Sequence, residues 1–147
     1  MIRWRQKRDN GRIIELVRTQ LVPISSWQHP TPTQLRSDIH RRLRRGATLV
    51  ATRNRSSPPI GFLHMEFRDT RMLIDLIAVD PRHQNHHLGT ELMNSAERYG
   101  RSQGYQISYV YVDEDNERAI RFYRRLGYNP LRTIAPLKVI ELNKHLR

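Results

Sequence analysis

The stretch that most restricts the fold is Ile74 to Leu92, IDLIAVDPRHQNHHLGTEL. Ile74 to Val79 is apolar and long enough for a strand, Pro81 stops it, and Leu88, Leu92, Ala96 and Tyr99 then recur at helical spacing. A strand, a short polar turn and a helix in direct succession commit this part of the chain to an α/β layer arrangement. The turn has chemistry of its own. The first turn of a helix leaves backbone N–H groups without intrahelical partners, and its partial positive charge suits a pyrophosphate. Gln84, Asn85, His86, His87, Leu88, Gly89 and Thr90 occupy that position. Glycine helps where the backbone takes positive φ or an anion comes close, and histidine is among the other residues enriched there. Gly89 fits, and His87 adds a Cβ and an imidazole that such a turn can still accommodate. His83, His86 and His87 also admit a metal reading or a plain surface reading. Zinc wants three or four converging ligands, whereas adjacent side chains at 86 and 87 diverge in most conformations and no second ligand cluster is visible. No metal is expected. His29, His40, His64 and His145 stand alone and read as structural or exposed.

The remaining elements follow from periodicity. Ile2 to Gln6 alternates as a short strand does, and Asn10 to Thr19 places Ile13, Leu16, Val17 and later Leu21 on one helical face. Val22 to Pro32 holds three prolines and no period, so it reads as a connection or lid. A helix is predicted from about Thr33 to Gly46, then strands at Ala47–Thr52, Ile60–Phe67 and Met72–Val79, joined by links short enough for an antiparallel meander. A long helix to about Gln103, a strand at Ile107–Val112, a helix at Glu117–Leu126 closed by Gly127, and strands at Tyr128–Thr133 and Leu137–Leu142 complete the chain. The expected fold over residues 1–147 is a single α/β domain with a mixed, mostly antiparallel sheet flanked by helices. Its order is β-α-α-β-β-β-α-β-α-β-β.

Composition narrows the chemistry. The chain has no cysteine, which removes thiolate nucleophiles, disulfides and cysteine-based zinc sites together. No apolar run approaches the roughly 18 residues of a membrane span, and the basic start leading into IIELV is too short for a signal peptide, so a cytoplasmic location and no membrane partner are expected. Lysine and arginine number 26 against 14 acids, a net charge of +12. Such a field favours polyanions without choosing among them. In the knot HRRLRR (His40 to Arg45) the arginines fall mostly off the face made by Leu35, Ile39 and Leu43. That knot reads as a solvated helix face or as an RNA or anionic-surface contact.

A second motif makes the order recognisable. Asn116 to Tyr128, NERAIRFYRRLGY, carries Asn116, Ala119, Phe122, Tyr123, Gly127 and Tyr128. Together with Gln84-x-x-His87-x-Gly89, it resembles the GCN5-related N-acetyltransferase (GNAT) superfamily over residues 72–128. The departure from that pattern is His87, which stands where the family has a glycine. The resemblance implies transfer of an acetyl group from acetyl-CoA to a primary amine by direct attack on the thioester, with no metal. It implies cofactor contacts from the main chain of Ile77, Ala78 and Val79, from residues 84–90, and from Asn116, Ala119 and Tyr123. Tyr123 falls at the general-acid position, although the same face would accept it as a core aromatic beside Phe122.

The amine needs a base, since an alkylamine is neutral in only about one molecule in 2,500 at pH 7. Asp75 is the first candidate and Glu66 the second, though either also reads as an edge or surface carboxylate. Asp113, Glu114, Asp115 and Glu117 crowd the start of the second motif; the helix dipole explains them, and they also suit steering of a cationic substrate. Trp27 either walls the substrate pocket or anchors the core. The resemblance allows a homodimer and leaves the amine unidentified. The alternative is a basic nucleic-acid or ribosome-associated module on the same fold.

Overall fold

A computed structural model describes residues 1–24 and 30–147, with residues 84–86 described in backbone only. The strands are β1 (Ile2–Trp4), β2 (Ala47–Ala51), β3 (Gly61–Arg68), β4 (Arg71–Val79), β5 (Ile107–Asp113), β6 (Asn129–Ile134) and β7 (Val139–His145). The helices are α1 (Asn10–Leu16), α2 (Pro32–Leu43), α3 (Leu88–Ser102) and α4 (Glu117–Arg125). The expected order of elements is the observed one. The main departure follows α1, which runs on through a π turn (Val17–Leu21) and a 3-10 turn (Val22–Ile24) into the stretch expected as a connection. Its apolar face explains this, because Val17 is buried and Leu21 and Val22 pack on the same core. Trp27 lies outside the described residues. Among those residues no helix is long and apolar enough to cross a membrane.

All seven strands form one sheet in the order β1-β2-β3-β4-β5-β7-β6, antiparallel except where β4 meets β5. Strand alternation sorts side chains into two cores. Leu49, Leu63, Met65, Val110, Val112 and Leu142 point to the layer of α3 and α4. Val50, Phe62, Leu76 and Ala78 point to the layer of α1 and α2. Chain turns fix the ends. Thr31 and Gln34 form a reciprocal cap on α2, with Gln34 N donating to Thr31 Oγ1 at 3.2 Å and Thr31 N donating to Gln34 Oε1 at 2.9 Å. Gly46, the predicted stop, is left-handed at φ 61°, and a side chain there would run into the Met65 carbonyl.

Two irregularities position the site. In the β3–β4 ladder His64 pairs with Leu76 while Met65 pairs with Ile74, so Asp75 is an extra residue. This bulge flips the alternation of β4. Ile74 and Met72 return to the α3 core, and Asp75 joins Leu76 toward the α1 and α2 layer. The second irregularity is the β4–β5 ladder, which among the described residues runs only from Arg71/Ile107 to Leu73/Tyr109. Beyond that point the two strands part.

A buried polar cluster ties α3 to the distal half of the sheet. Tyr128 Oη donates to Glu97 Oε2 at 3.0 Å and lies 2.7 Å from Ser108 Oγ, while Lys144 Nζ donates to Glu97 Oε1 and to the Leu126 carbonyl, each at 2.7 Å.

Candidate active site

Where β4 and β5 separate they open a cleft of about 640 Å³. Its walls are Ile74 to Val79 on β4 and Val110 to Asp113 on β5. His87, Gly89 and Thr90 close one end, and α4 contributes Asn116, Ala119 and Tyr123. Ten of the residues expected at the site thus line one space: Asp75, Ile77, Ala78, Val79, His87, Gly89, Thr90, Asn116, Ala119 and Tyr123. Leu88 packs its side chain against the α3 core instead, which limits its contribution to the main chain. Glu66 is not part of the cleft lining. The side chains of Gln84, Asn85 and His86 lie outside the described residues.

The turn before α3 has the geometry the sequence suggested. A 3-10 segment (Pro81–His86) leads to His87, which is left-handed at φ 56° and ψ 25°. The first intrahelical bond runs from Glu91 N to His87 O at 3.0 Å, so the N–H groups of Leu88, Gly89 and Thr90 precede it and have no partner within the helix. Asp80 anchors the turn from below. Its carboxylate accepts from Arg82 N, Nε and Nη2 at 2.9, 3.2 and 3.0 Å and from Arg12 Nη2 at 2.6 Å. These hydrogen bonds, Arg82's first, hold the Asp80 carboxyl well below the usual range. Arg82 is thereby tied into the loop's own structure. His83 Nε2 lies 3.1 Å from Arg53 Nη2.

A histidine at positive φ is strained but tolerated, whereas a β-branched residue is a genuine outlier. If the turn receives acetyl-CoA, as the sequence resemblance implies, and His87 merely substitutes for glycine, His87→Gly should leave that affinity equal or better, and His87→Val should weaken it by about tenfold, for a conformational cost on the order of 1–2 kcal/mol. Calorimetric titration with acetyl-CoA checks both. A loss in the glycine variant as large as in the valine one would make the imidazole itself a ligand.

Asn116 caps α4 as expected, its Oδ1 accepting from Ala119 N at 3.1 Å. Tyr123 is both packed and at the site. Its ring lies edge-on to Phe122 and Tyr128 at centroid distances of 5.1 and 5.7 Å, and only 5% of the residue is exposed. Burial pushes its phenol above the ordinary value near 10, so it keeps its proton throughout the physiological range.

At the bulge, Asp75 meets groups that sequence spacing does not place together. Arg42 Nη1 lies 3.4 Å from both Asp75 oxygens, and Arg45 Nη2 donates to Glu66 Oε2 at 3.2 Å. His64, expected to be isolated, is fully buried between them. Its Nδ1 is 2.7 Å from Thr48 Oγ1, and its Nε2 is 3.3 Å from Glu66 Oε2 and 3.9 Å from Asp75 Oδ2. Burial raises the Asp75 carboxyl, opposed chiefly by Arg42, and burial lowers the His64 imidazole. His64, Glu66 and Asp75 bring ligand-type atoms within 4.8 Å of one another, a cluster the sequence did not reveal. Arg42 and Arg45 already meet its two carboxylates, which argues for proton chemistry over cation binding.

Several lining residues escaped the sequence reading. Gln20 and Ile24 come from the extension of α1 beyond Thr19, where Leu21, expected on the apolar face of that helix, also lines the cleft. Arg118, Phe122 and Arg125 line the cleft from α4, and their i, i+4, i+7 spacing was a legible signal. Tyr111 lies between Val110 and Val112, which point to the other core, and it faces the α1 side of the sheet.

Residues 11–128 match the acetyltransferase (GNAT) family. An uncharacterized N-acetyltransferase of Methanocaldococcus jannaschii is 32% identical over 78 residues, an alignment covering 48% of this chain and 34% of that protein. The chain thus spans about a third of the length of that curated relative. Among solved structures, Ard1 from Thermoplasma volcanium superposes with a TM-score of 0.80 at 22% identity, covering 100% of this chain and 97% of that one. The PaiA N-acetyltransferase of Thermoplasma acidophilum, solved with coenzyme A, gives 0.78 at 18% identity and 99% coverage of both chains. The yncA protein of Salmonella typhimurium, solved with its cofactor acetyl-CoA, gives 0.78 at 17% identity, covering 100% of this chain and 94% of that one.

Proposed function

Because the chain belongs to the acetyltransferase (GNAT) family, we propose that its cleft binds acetyl-CoA and that the protein transfers the acetyl group to a primary amine. The observation that carries this reading is the convergence, in one cleft, of a helix N-terminus entered through a left-handed residue, two parted strands and a buried phenol. Acetyl-CoA supplies an activated acyl group as a thioester. The residues of this chain do the rest. The first turn of α3 receives the pyrophosphate, with Arg118 and Arg125 on the α4 wall to balance further negative charge. The main chain of Ile77 and Val79 runs along the cleft and donates to the oxygen that gains charge during transfer. Asp75 takes the proton of the incoming ammonium, and Tyr123 offers its phenolic proton to the departing sulfur.

The large positive charge is partly employed within the fold. Arg3 pairs with Asp9, Arg12 with Asp80, Arg71 and Arg132 with Glu141, and Lys144 with Glu97, and each of these acids is buried. Thermal melts test the reading. Acetyl-CoA at 100 times its Kd should stabilise the protein by about 2.7 kcal/mol, and CoA should be released when amines are added. No stabilisation at saturating acetyl-CoA, together with RNA binding of steep salt dependence, would replace the enzyme by a nucleic-acid module.

A further inference from the structure

Proton removal from the acceptor amine needs a base with a defined place, and Asp75 owes its place to its neighbours. We propose that His64, anchored by Thr48, is a positioning residue that fixes Asp75 in the cleft and couples it to Glu66. This rests on reading Asp75 as the base.

The geometry runs across three strands. Thr48 on β2 and His64 on β3 are register partners, and their side chains meet at 2.7 Å. The bulge then brings Asp75 of β4 onto the same face as His64 and Glu66. Ionised carboxylates only accept hydrogen bonds, so the Nε2 facing two of them carries the hydrogen, and Nδ1 accepts from the Thr48 hydroxyl. Thr48 therefore sets the tautomer that points a donor at Glu66 and toward Asp75. From α2, Arg42 faces Asp75 and also reaches Asp38 at 3.3 Å; Arg45, just past that helix, faces Glu66. Two like charges are thus held close together by one neutral imidazole between two guanidiniums. When the ammonium of the acceptor gives its proton to an Asp75 oxygen, nitrogen keeps the bonding pair for attack and Asp75 becomes a neutral acid. The Nε2 hydrogen remains bonded to Glu66, which keeps its charge, and the proton leaves Asp75 to water after turnover.

Opposite signs follow for the two neighbours. The His64 donor favours ionised Asp75 and the Glu66 charge disfavours it, in line with their directions on that carboxyl. The test is kcat/KM against pH for wild type, His64→Leu, His64→Gln, Glu66→Gln and Asp75→Asn, each first confirmed to bind acetyl-CoA by titration. In His64→Leu the acidic limb should move up, so that activity below the limb falls about tenfold per unit of displacement while the plateau is kept. Glu66→Gln should move the limb down. His64→Gln, which can present an N–H near Nε2, should stay close to wild type. If His64→Leu does not fold, Thr48→Val supplies the same readout by removing the tautomer-setting hydroxyl, with an upward shift expected.

An equal loss at every pH in the histidine variant, or shifts of the same sign in the His64 and Glu66 variants, would overturn the positioning role. Full activity in Asp75→Asn would instead remove the base assignment. An inactive Asp75→Asn beside an unmoved limb in the His64 variant would remove His64 alone. Loss of acetyl-CoA binding by the wild type would remove the transferase reading beneath both.

Discussion

Tyr123→Phe should lower kcat by about 10²- to 10³-fold, within the range for loss of a positioned general acid, while the KM for acetyl-CoA and the melting temperature stay nearly unchanged. The substitution keeps the ring that packs between Phe122 and Tyr128 and deletes only the hydroxyl. A structural role and a catalytic role therefore make different forecasts. If the residue serves packing alone, a phenylalanine fills the same volume and activity survives; if the hydroxyl serves the departing sulfur, turnover falls without loss of fold. Burial adds a pH signature. With the phenol raised above its ordinary value, it stays protonated where the assay is run, so Tyr123 sets no basic limb within the physiological range. Steady-state kinetics with acetyl-CoA and a reactive amine, beside a thermal melt, decide the matter. An unaltered kcat would leave Tyr123 a core aromatic.

Glu97→Ala should lower stability by about 3–5 kcal/mol, as for removal of one partner from a buried charge pair. Glu97 is 2% exposed and accepts from both Tyr128 and Lys144. Its loss leaves the Lys144 ammonium only the Leu126 carbonyl as an acceptor and opens a cavity between α3 and β7. Burial together with the Glu97 charge pushes the Tyr128 phenol up, so this tyrosine remains a donor. Glu97→Gln, which keeps the shape and one acceptor, should cost about half as much, on the order of 1.5–3 kcal/mol for a hydrogen bond to a charged group. Urea unfolding followed by circular dichroism reads both, and a loss below about 1 kcal/mol in the alanine variant would show the pair to be energetically idle, as exposed ion pairs often are.

Much of the molecule was legible because its signals are local. The helical periods of α2, α3 and α4, the alternation of ISYVYV, and the Gly127 stop each lie within one short segment, and all seven strands appear in the expected order. The α3 turn was legible for the same reason, including the strained position of His87. The rest depends on register. Lys144 reaches Glu97 across 47 positions and Arg71 reaches Glu141 across 70, and no period announces either pairing. The bulge is subtler still. Asp75 within an apolar run was a hint of irregularity, but only the ladder shows that the extra residue turns it toward His64, so the histidine read as isolated lies beside both carboxylates proposed for the amine. Gln20 and Ile24 were missed because the helix was expected only to Thr19 and Pro23 reads as a breaker, whereas the apolar face of α1 carries the chain on through a 3-10 turn at Val22–Ile24.

The parting of β4 and β5 has a consequence for how this protein can be altered. A sheet ordinarily has two rims, and this one, with β1 and β6 outermost, acquires two more in its interior. An interior rim presents peptide groups at strand spacing, and what suits it is an extended chain with amides of its own, laid in as a guest strand. Recognition of that kind is written in the main chain, which side-chain substitution leaves in place. Truncating the wall residues one at a time should therefore understate the grip of the cleft, while a proline within β4, by removing a single N–H, should expose it.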